Sequence, residues 1–106
     1  YSLSAGGSII YPNLKVWNII PMLPHNLSSR PFIISSARKV EIQVTSGPDK
    51  NAYISADGQS EIPITYGTKV NISEKSDVLK LVHPSNYNFF EACHDKLGWA
   101  LDVTKR

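Results

Sequence analysis

The first residues of the chain combine groups that bind small molecules with a backbone that can approach them closely. Tyr1 supplies a flat ring that can stack on a base, and Ser4 supplies a hydroxyl that can hydrogen-bond to it. Gly6 and Gly7 follow, and glycine permits positive φ and close approach of the backbone to a ligand or a strand. These residue types alone favour a plain turn with a packed tyrosine, and a ligand-binding loop is the alternative.

Two further places could carry chemistry. Asp57-Gly58 is the strongest hairpin signal in the chain, because both central residues of a type I′ turn need positive φ. Two interpretations are open: the pair serves turn geometry alone, or it presents a carboxylate and exposed amides to a ribose hydroxyl or a phosphate. His25 follows Pro24, which restrains the backbone before it, but a lone histidine more often has a structural role.

The classes of site that have strong sequence signatures are absent. The sequence contains no CxxC, HExxH, Walker or GxGxxG pattern. Its three histidines have no ligand-like spacing, and Cys93 falls on an apolar helical stripe, where thiols are usually inert. We therefore expect no catalytic residue and no metal ligand of these classes in the chain.

Composition indicates one globular domain over residues 1–106, with 42% hydrophobic and 19% charged residues. A net charge of +2 is too small to indicate a nucleic-acid partner, and no apolar run is long enough to span a membrane. The single cysteine excludes an internal disulfide and fits a reducing cytoplasm, where we expect the protein.

Alternating apolar residues and turn signals predict about seven short antiparallel strands followed by a helix. Asn88 with Glu91 predicts a capping box, and Gly98 predicts the end of a helix of about ten residues. The expected fold is mainly β, an antiparallel two-sheet sandwich-like domain with a C-terminal helix. The predicted strands are Lys15–Ile20, Phe32–Ser35, Lys39–Thr45, Asn51–Ala56, Gln59–Ile64, Lys69–Ser73 and Val78–Val82.

Four segments, in order along the chain, resemble motifs of bacterial NAD kinases: YSLSAGG, PMLPHNLSSRP, ISADGQ and KLGW. One departure is Ser8, where the family usually has proline. The resemblance implies the C-terminal β domain of an enzyme that phosphorylates the adenosine 2′-hydroxyl of NAD with ATP, using Mg²⁺ or another divalent cation. The family's GGDG motif, which supplies the base, does not occur here. We therefore expect that an N-terminal α/β domain is missing and that this chain alone is inactive.

The resemblance also implies roles for individual residues. Tyr1 would pack against the nucleotide and Ser4 would hydrogen-bond to a base. Leu23 and His25, in the second motif, would reach the NAD site of a neighbouring subunit in a homodimer or homotetramer. The hairpin tip would lie near the dinucleotide. The implied NAD-binding residues are Tyr1, Ser4, Leu23, His25, Asp57 and Gly58.

Two other classes of protein remain as alternatives. One is a small β-sandwich module that binds a sugar or a peptide and has no kinase partner domain. The other is the β domain of a diacylglycerol- or sphingosine-type lipid kinase. The YSLSAGG and PH-x-L segments favour the NAD kinase over both, since periodicity alone does not separate the three.

Overall fold

A computed structural model of the chain describes residues 1–45 and 52–100. These residues form six short strands and one helix, so the predicted mainly β class with a C-terminal helix is confirmed. No helix in these two ranges has the length and apolar character needed to cross a lipid bilayer. In chain order the elements are β1 (Val16–Ile19), β2 (Phe32–Ser35), β3 (Val40–Gln43), β4 (Ala52–Ala56), β5 (Ser60–Ile64), β6 (Lys69–Ile72) and α1 (Phe89–Leu97).

The described strands pair two by two into three antiparallel sheets, β1 with β2, β3 with β6 and β4 with β5. In the β3–β6 pair, Ile42 lies opposite Val70, which puts apolar residues on one face. The other face is polar, and there Lys69 Nζ lies 3.0 Å from Glu41 Oε1. The period-two alternation that the sequence predicts in each strand therefore fits the register of this pair.

The turn between β4 and β5 has the predicted conformation. Asp57 and Gly58 take φ values of 51° and 69°, as the central residues of a type I′ turn must. The Gln59 amide donates to the Ala56 carbonyl at 3.0 Å and closes the turn. Because Ala56 pairs with Ser60, Gln59 lies outside the ladder, between the turn and the first paired residue.

Helix α1 begins and ends where the sequence predicts. Asn88 Oδ1 accepts hydrogen bonds from the Phe90 and Glu91 amides at 2.9 and 3.4 Å, which satisfies two unpaired donors of the first turn. No return bond from the Glu91 side chain accompanies them within the described residues, so the cap is one-sided. Gly98 ends the helix in the left-handed conformation, with φ of 65°.

The structure differs from the sequence prediction at residues 78–82, which form no strand. These residues are apolar except for Lys80, as in many strands, but no described strand supplies backbone partners, and Val78 and Val82 are largely exposed. A short apolar run rich in β-branched residues indicates the capacity to form a strand and does not provide the partner. The turn predicted at 46–50 and the start of the fourth strand at residue 51 lie outside the described residues.

The chain divides into two compact units. Unit 1 comprises Tyr1–Ile9 and Lys15–Ser76, and unit 2 comprises Ile10–Leu14 and Asp77–Arg106. In unit 1 the buried Ser36 hydroxyl donates to Glu74 Oε2 at 2.6 Å.

In unit 2 the ring of Tyr11 contacts those of Phe89 and Phe90, at centroid distances of 5.3 and 5.9 Å. Cys93 on the same helix is buried, as its place on the apolar stripe predicts. These aromatic contacts hold the first turn of α1 against the short segment around Tyr11.

The N-cap can be tested by substitution. Asn88→Ala should lower the free energy of unfolding by about 1 kcal/mol, because two amides of the first turn lose their acceptor. Asn86→Ala is the matched control, since this neighbouring asparagine makes no capping contact in the described structure. Chemical denaturation followed by circular dichroism measures both, and equal losses for the two variants would contradict the assigned cap.

Candidate functional site

The opening segment, Tyr1–Gly7, folds back on itself and is called the opening loop below. The Ala5 amide donates to the Tyr1 carbonyl at 3.0 Å, and the Gly6 amide donates to the Leu3 carbonyl at 3.1 Å. Gly6 has φ of 81°, a conformation that other L-residues rarely adopt. The loop therefore holds its shape through its own backbone and leaves the Tyr1 side chain exposed.

The end of the opening loop lies tightly against the residues that follow β1. The Gly7 amide donates to the Ser2 carbonyl at 2.8 Å. A Cβ built on Gly7 would lie 2.7 Å from the Ser2 carbonyl oxygen, and it would also clash with the Ser2 hydroxyl and the Ile20 side chain. Glycine is needed at position 7 for space, whereas Gly6 is needed for its backbone torsion.

The segment 21–24, called the proline loop below, follows β1 after one residue, Ile20. Its two prolines restrict the backbone, and Leu23 between them has φ of 47°. A positive φ is unfavourable for leucine, and the following Pro24 restricts its backbone further. The Leu23 side chain is nevertheless 94% exposed, so no packing in the described structure offsets this strain.

The opening loop and the proline loop form the two walls of a cleft of ≈ 430 Å³ within unit 1. This volume falls within the range of small-molecule sites, about 300–1,000 Å³. The lining is mainly apolar, and the hydroxyls of Tyr1 and Ser4 supply polar side-chain groups. The lining residues are Tyr1, Ser4, Ala5, Pro21, Met22, Leu23 and Pro24.

The structure brings together three of the six predicted site residues. Tyr1, Ser4 and Leu23 line the cleft, whereas His25 lies one residue beyond its last lining residue. Asp57 and Gly58 stand at the tip of the β4–β5 hairpin and do not line it.

Four lining residues were not among the predicted site residues: Ala5, Pro21, Met22 and Pro24. A signal for them was present in the sequence, since Pro21 and Pro24 mark a stiff loop next to the second motif. Their apolar side chains contribute contact surface to the cleft, and they carry no polar or reactive group by which a motif would indicate them.

Comparison with known proteins identifies the family. Residues 1–84 match the model of the ATP-NAD kinase C-terminal domain, and this range contains both walls of the cleft. The chain belongs to the ATP-NAD kinase family. The alternatives of a free-standing binding module and a lipid-kinase domain are therefore set aside.

Individual NAD kinases are similar over nearly the whole chain. The NAD kinase of Hahella chejuensis is 40% identical over 100 residues, 94% of this chain. That of Marinobacter nauticus is 42% identical over 105 residues, 97% of this chain, and that of Azotobacter vinelandii is 42% identical over 99 residues, 93% of this chain. The matched regions are 34%, 35% and 34% of these three relatives, so the chain spans about a third of their length.

The two glycines of the opening loop should respond differently to substitution. Gly7→Ala should lower the melting temperature clearly, because its Cβ would clash with a backbone oxygen that cannot move without opening the loop. Gly6→Asn should be better tolerated, since space around Gly6 is open and asparagine adopts positive φ more readily than other residues. Thermal melting of the two variants is the measurement. A larger loss at Gly6→Asn would show that the close approach at Gly7 does not constrain the loop.

Proposed function

We propose that this chain is the part of an NAD kinase that holds the dinucleotide, in an enzyme that transfers the terminal phosphoryl group of ATP to the adenosine 2′-hydroxyl of NAD and yields NADP. The observation that carries the proposal is the cleft between the opening loop and the proline loop. Both walls belong to the segment that matches the family model. The kinase activity of the relatives supplies the reaction class.

The cleft suits one base with its sugar. Tyr1 offers an exposed ring for stacking, and the apolar side chains of Met22 and Leu23 lie on the opposite wall. The Ser4 hydroxyl can donate or accept a hydrogen bond at the polar edge of the base. Phosphoryl transfer depends mainly on positioning and charge stabilisation, so a contribution of this chain is to orient the acceptor.

The divalent cation that such a reaction uses does not fit the described part of this chain. Among residues 1–45 and 52–100, no three side chains of His, Cys, Asp or Glu come together as a cation site. We therefore assign no step of the reaction to a cation held by these residues. Asp57, at the hairpin tip, lies outside the cleft and remains a proposed contact to the dinucleotide.

Tyr1 provides the direct test. In the full-length protein that carries this chain, Tyr1→Ala should raise the KM for NAD about tenfold or more, because a lost base stack costs roughly 1–3 kcal/mol on the nucleic-acid scale. Tyr1→Phe should stay close to the wild type, since the ring is retained. Tyr66→Ala removes another exposed tyrosine of unit 1 that does not line the cleft, and it should leave the KM unchanged. Steady-state kinetics with NAD as the varied substrate decide the matter. A folded Tyr1→Ala variant with a wild-type KM for NAD would show that the Tyr1 ring does not contribute to the NAD site.

We also propose that the segment 21–30 forms part of an interface between subunits. Leu23 and Leu27 are 94% and 90% exposed, and Met22, which precedes Leu23 in the proline loop, is exposed as well. Such a cluster of apolar side chains on a stiff loop is typical of an interaction surface. The strained torsion at Leu23 supports this proposal, because backbone strain tends to persist at functional positions.

Two substitutions at one position separate the side chain from the strain. Leu23→Gly relieves the positive φ, so the subunit itself should be at least as stable as the wild type, while the oligomer weakens because the side chain is lost. Leu23→Asp should weaken the oligomer and the affinity for NAD together. Light scattering and NAD titration of the full-length protein measure both. An unchanged oligomer in the two variants would refute the interface.

A further inference from the structure

Asn18 lies in β1, three residues before the proline loop. It is the third residue of β1 and pairs with Ile33 of β2. Two residues later, on the same face of the chain, is Ile20, which contacts the position that a Cβ of Gly7 would occupy. The opening loop therefore lies over the Asn18–Ile20 side of this segment.

The Asn18 side chain also reaches the opening loop directly. Its Nδ2 donates a long hydrogen bond of 3.5 Å to the Ser2 hydroxyl. Within the described residues this is the one hydrogen bond that joins the opening loop to the segment 15–24. The same Ser2 accepts the Gly7 amide through its carbonyl, so one residue links Asn18 to the tight end of the loop.

The other end of the amide is unusual. Asn18 Oδ1 is buried and has no hydrogen-bond partner in the described structure. Exchanging the two amide atoms would not remove the problem, because the Ser2 hydroxyl can satisfy only one of them. A buried carbonyl oxygen without a partner costs stability, and a valine or alanine would avoid this cost in a strand. Because the buried Oδ1 of Asn18 lowers stability, its presence indicates that Asn18 has a role other than stability.

We propose that Asn18 is a positioning residue that sets the opening loop against the proline loop and thereby the width of the nucleotide cleft. It does not line the cleft and acts through Ser2 and the backbone of the loop that carries Tyr1 and Ser4. The ligand class, a nucleotide base with its sugar, rests on the proposed function, whereas the link between Asn18 and the loop does not.

The kinetic test uses the full-length protein that carries this chain. Asn18→Ala and Ser2→Ala should each raise the KM for NAD about three- to tenfold, as expected for one lost hydrogen bond, with kcat within about twofold of the wild type. The double variant should be no worse than either single variant, because both substitutions break the same contact. Asn71→Ala is the matched control, since Asn71 pairs with Glu41 on the exposed face of β6.

A wild-type KM in a folded Asn18→Ala variant, or additive effects in the double variant, would overturn the proposal. Folding should not confound the test, because Asn18→Ala also removes the unpartnered buried oxygen. If that variant nevertheless fails to fold, the comparison of Ser2→Ala with the wild type carries the same prediction.

Hydrogen exchange separates this proposal from the proposed function. In Asn18→Ala and Ser2→Ala, the amides of Ala5, Gly6 and Gly7 should exchange about threefold faster or more, because the loop loses its anchor to β1. Unchanged exchange overturns the positioning role. A wild-type protein that does not phosphorylate NAD, together with faster exchange in the variants, would refute the proposed function and support the positioning role.

Discussion

The arrangement of the cleft depends on one close approach, that of the opening loop to the end of β1. At Gly7 the backbone leaves no room for a side chain, since Ser2 and Ile20 already fill the space. The same approach brings Ser2 within reach of Asn18. Because only Ile20 separates β1 from the proline loop, a contact that fixes the opening loop on β1 also sets the distance between the two walls, as we propose for Asn18.

Different interactions hold the two walls of the cleft. The opening loop is held by hydrogen bonds between its own backbone groups, including Ala5 to Tyr1. The proline loop is held by the fixed φ of Pro21 and Pro24, and it carries Leu23 in a strained conformation. Walls held in this way lose less conformational entropy when a ligand binds, which favours the nucleotide cleft that we propose.

Local signals in the sequence predicted local structure well, but contacts between segments distant in the chain could not be predicted from such signals. Asn88, Gly98 and Asp57-Gly58 specify their caps and turn through their own side chains or torsions, and the structure has these features. Which strands pair, and the absence of a strand at 78–82, depend on partners distant in sequence. For the same reason the motifs indicated Tyr1 and Ser4 as site residues, but not Asn18, whose importance appears only once Ser2 lies beside it.

Burial in the described part of the chain is thin, and this bears on how the cleft is maintained. Only Cys93 and Ser36 are buried among the described residues, and each sheet has two strands, an arrangement that is marginal in water by itself. Within the described residues, the contacts that hold the loops around the cleft are local ones. They are steric exclusion at Gly7, the torsions of the two prolines and the amide of Asn18. The Asn18 contact can be lost without unfolding a domain, so substitutions of Asn18 should alter the affinity for the proposed ligand more than global stability, the reverse of what core substitutions do. A side chain at position 7 would instead clash with the backbone and lower stability as well.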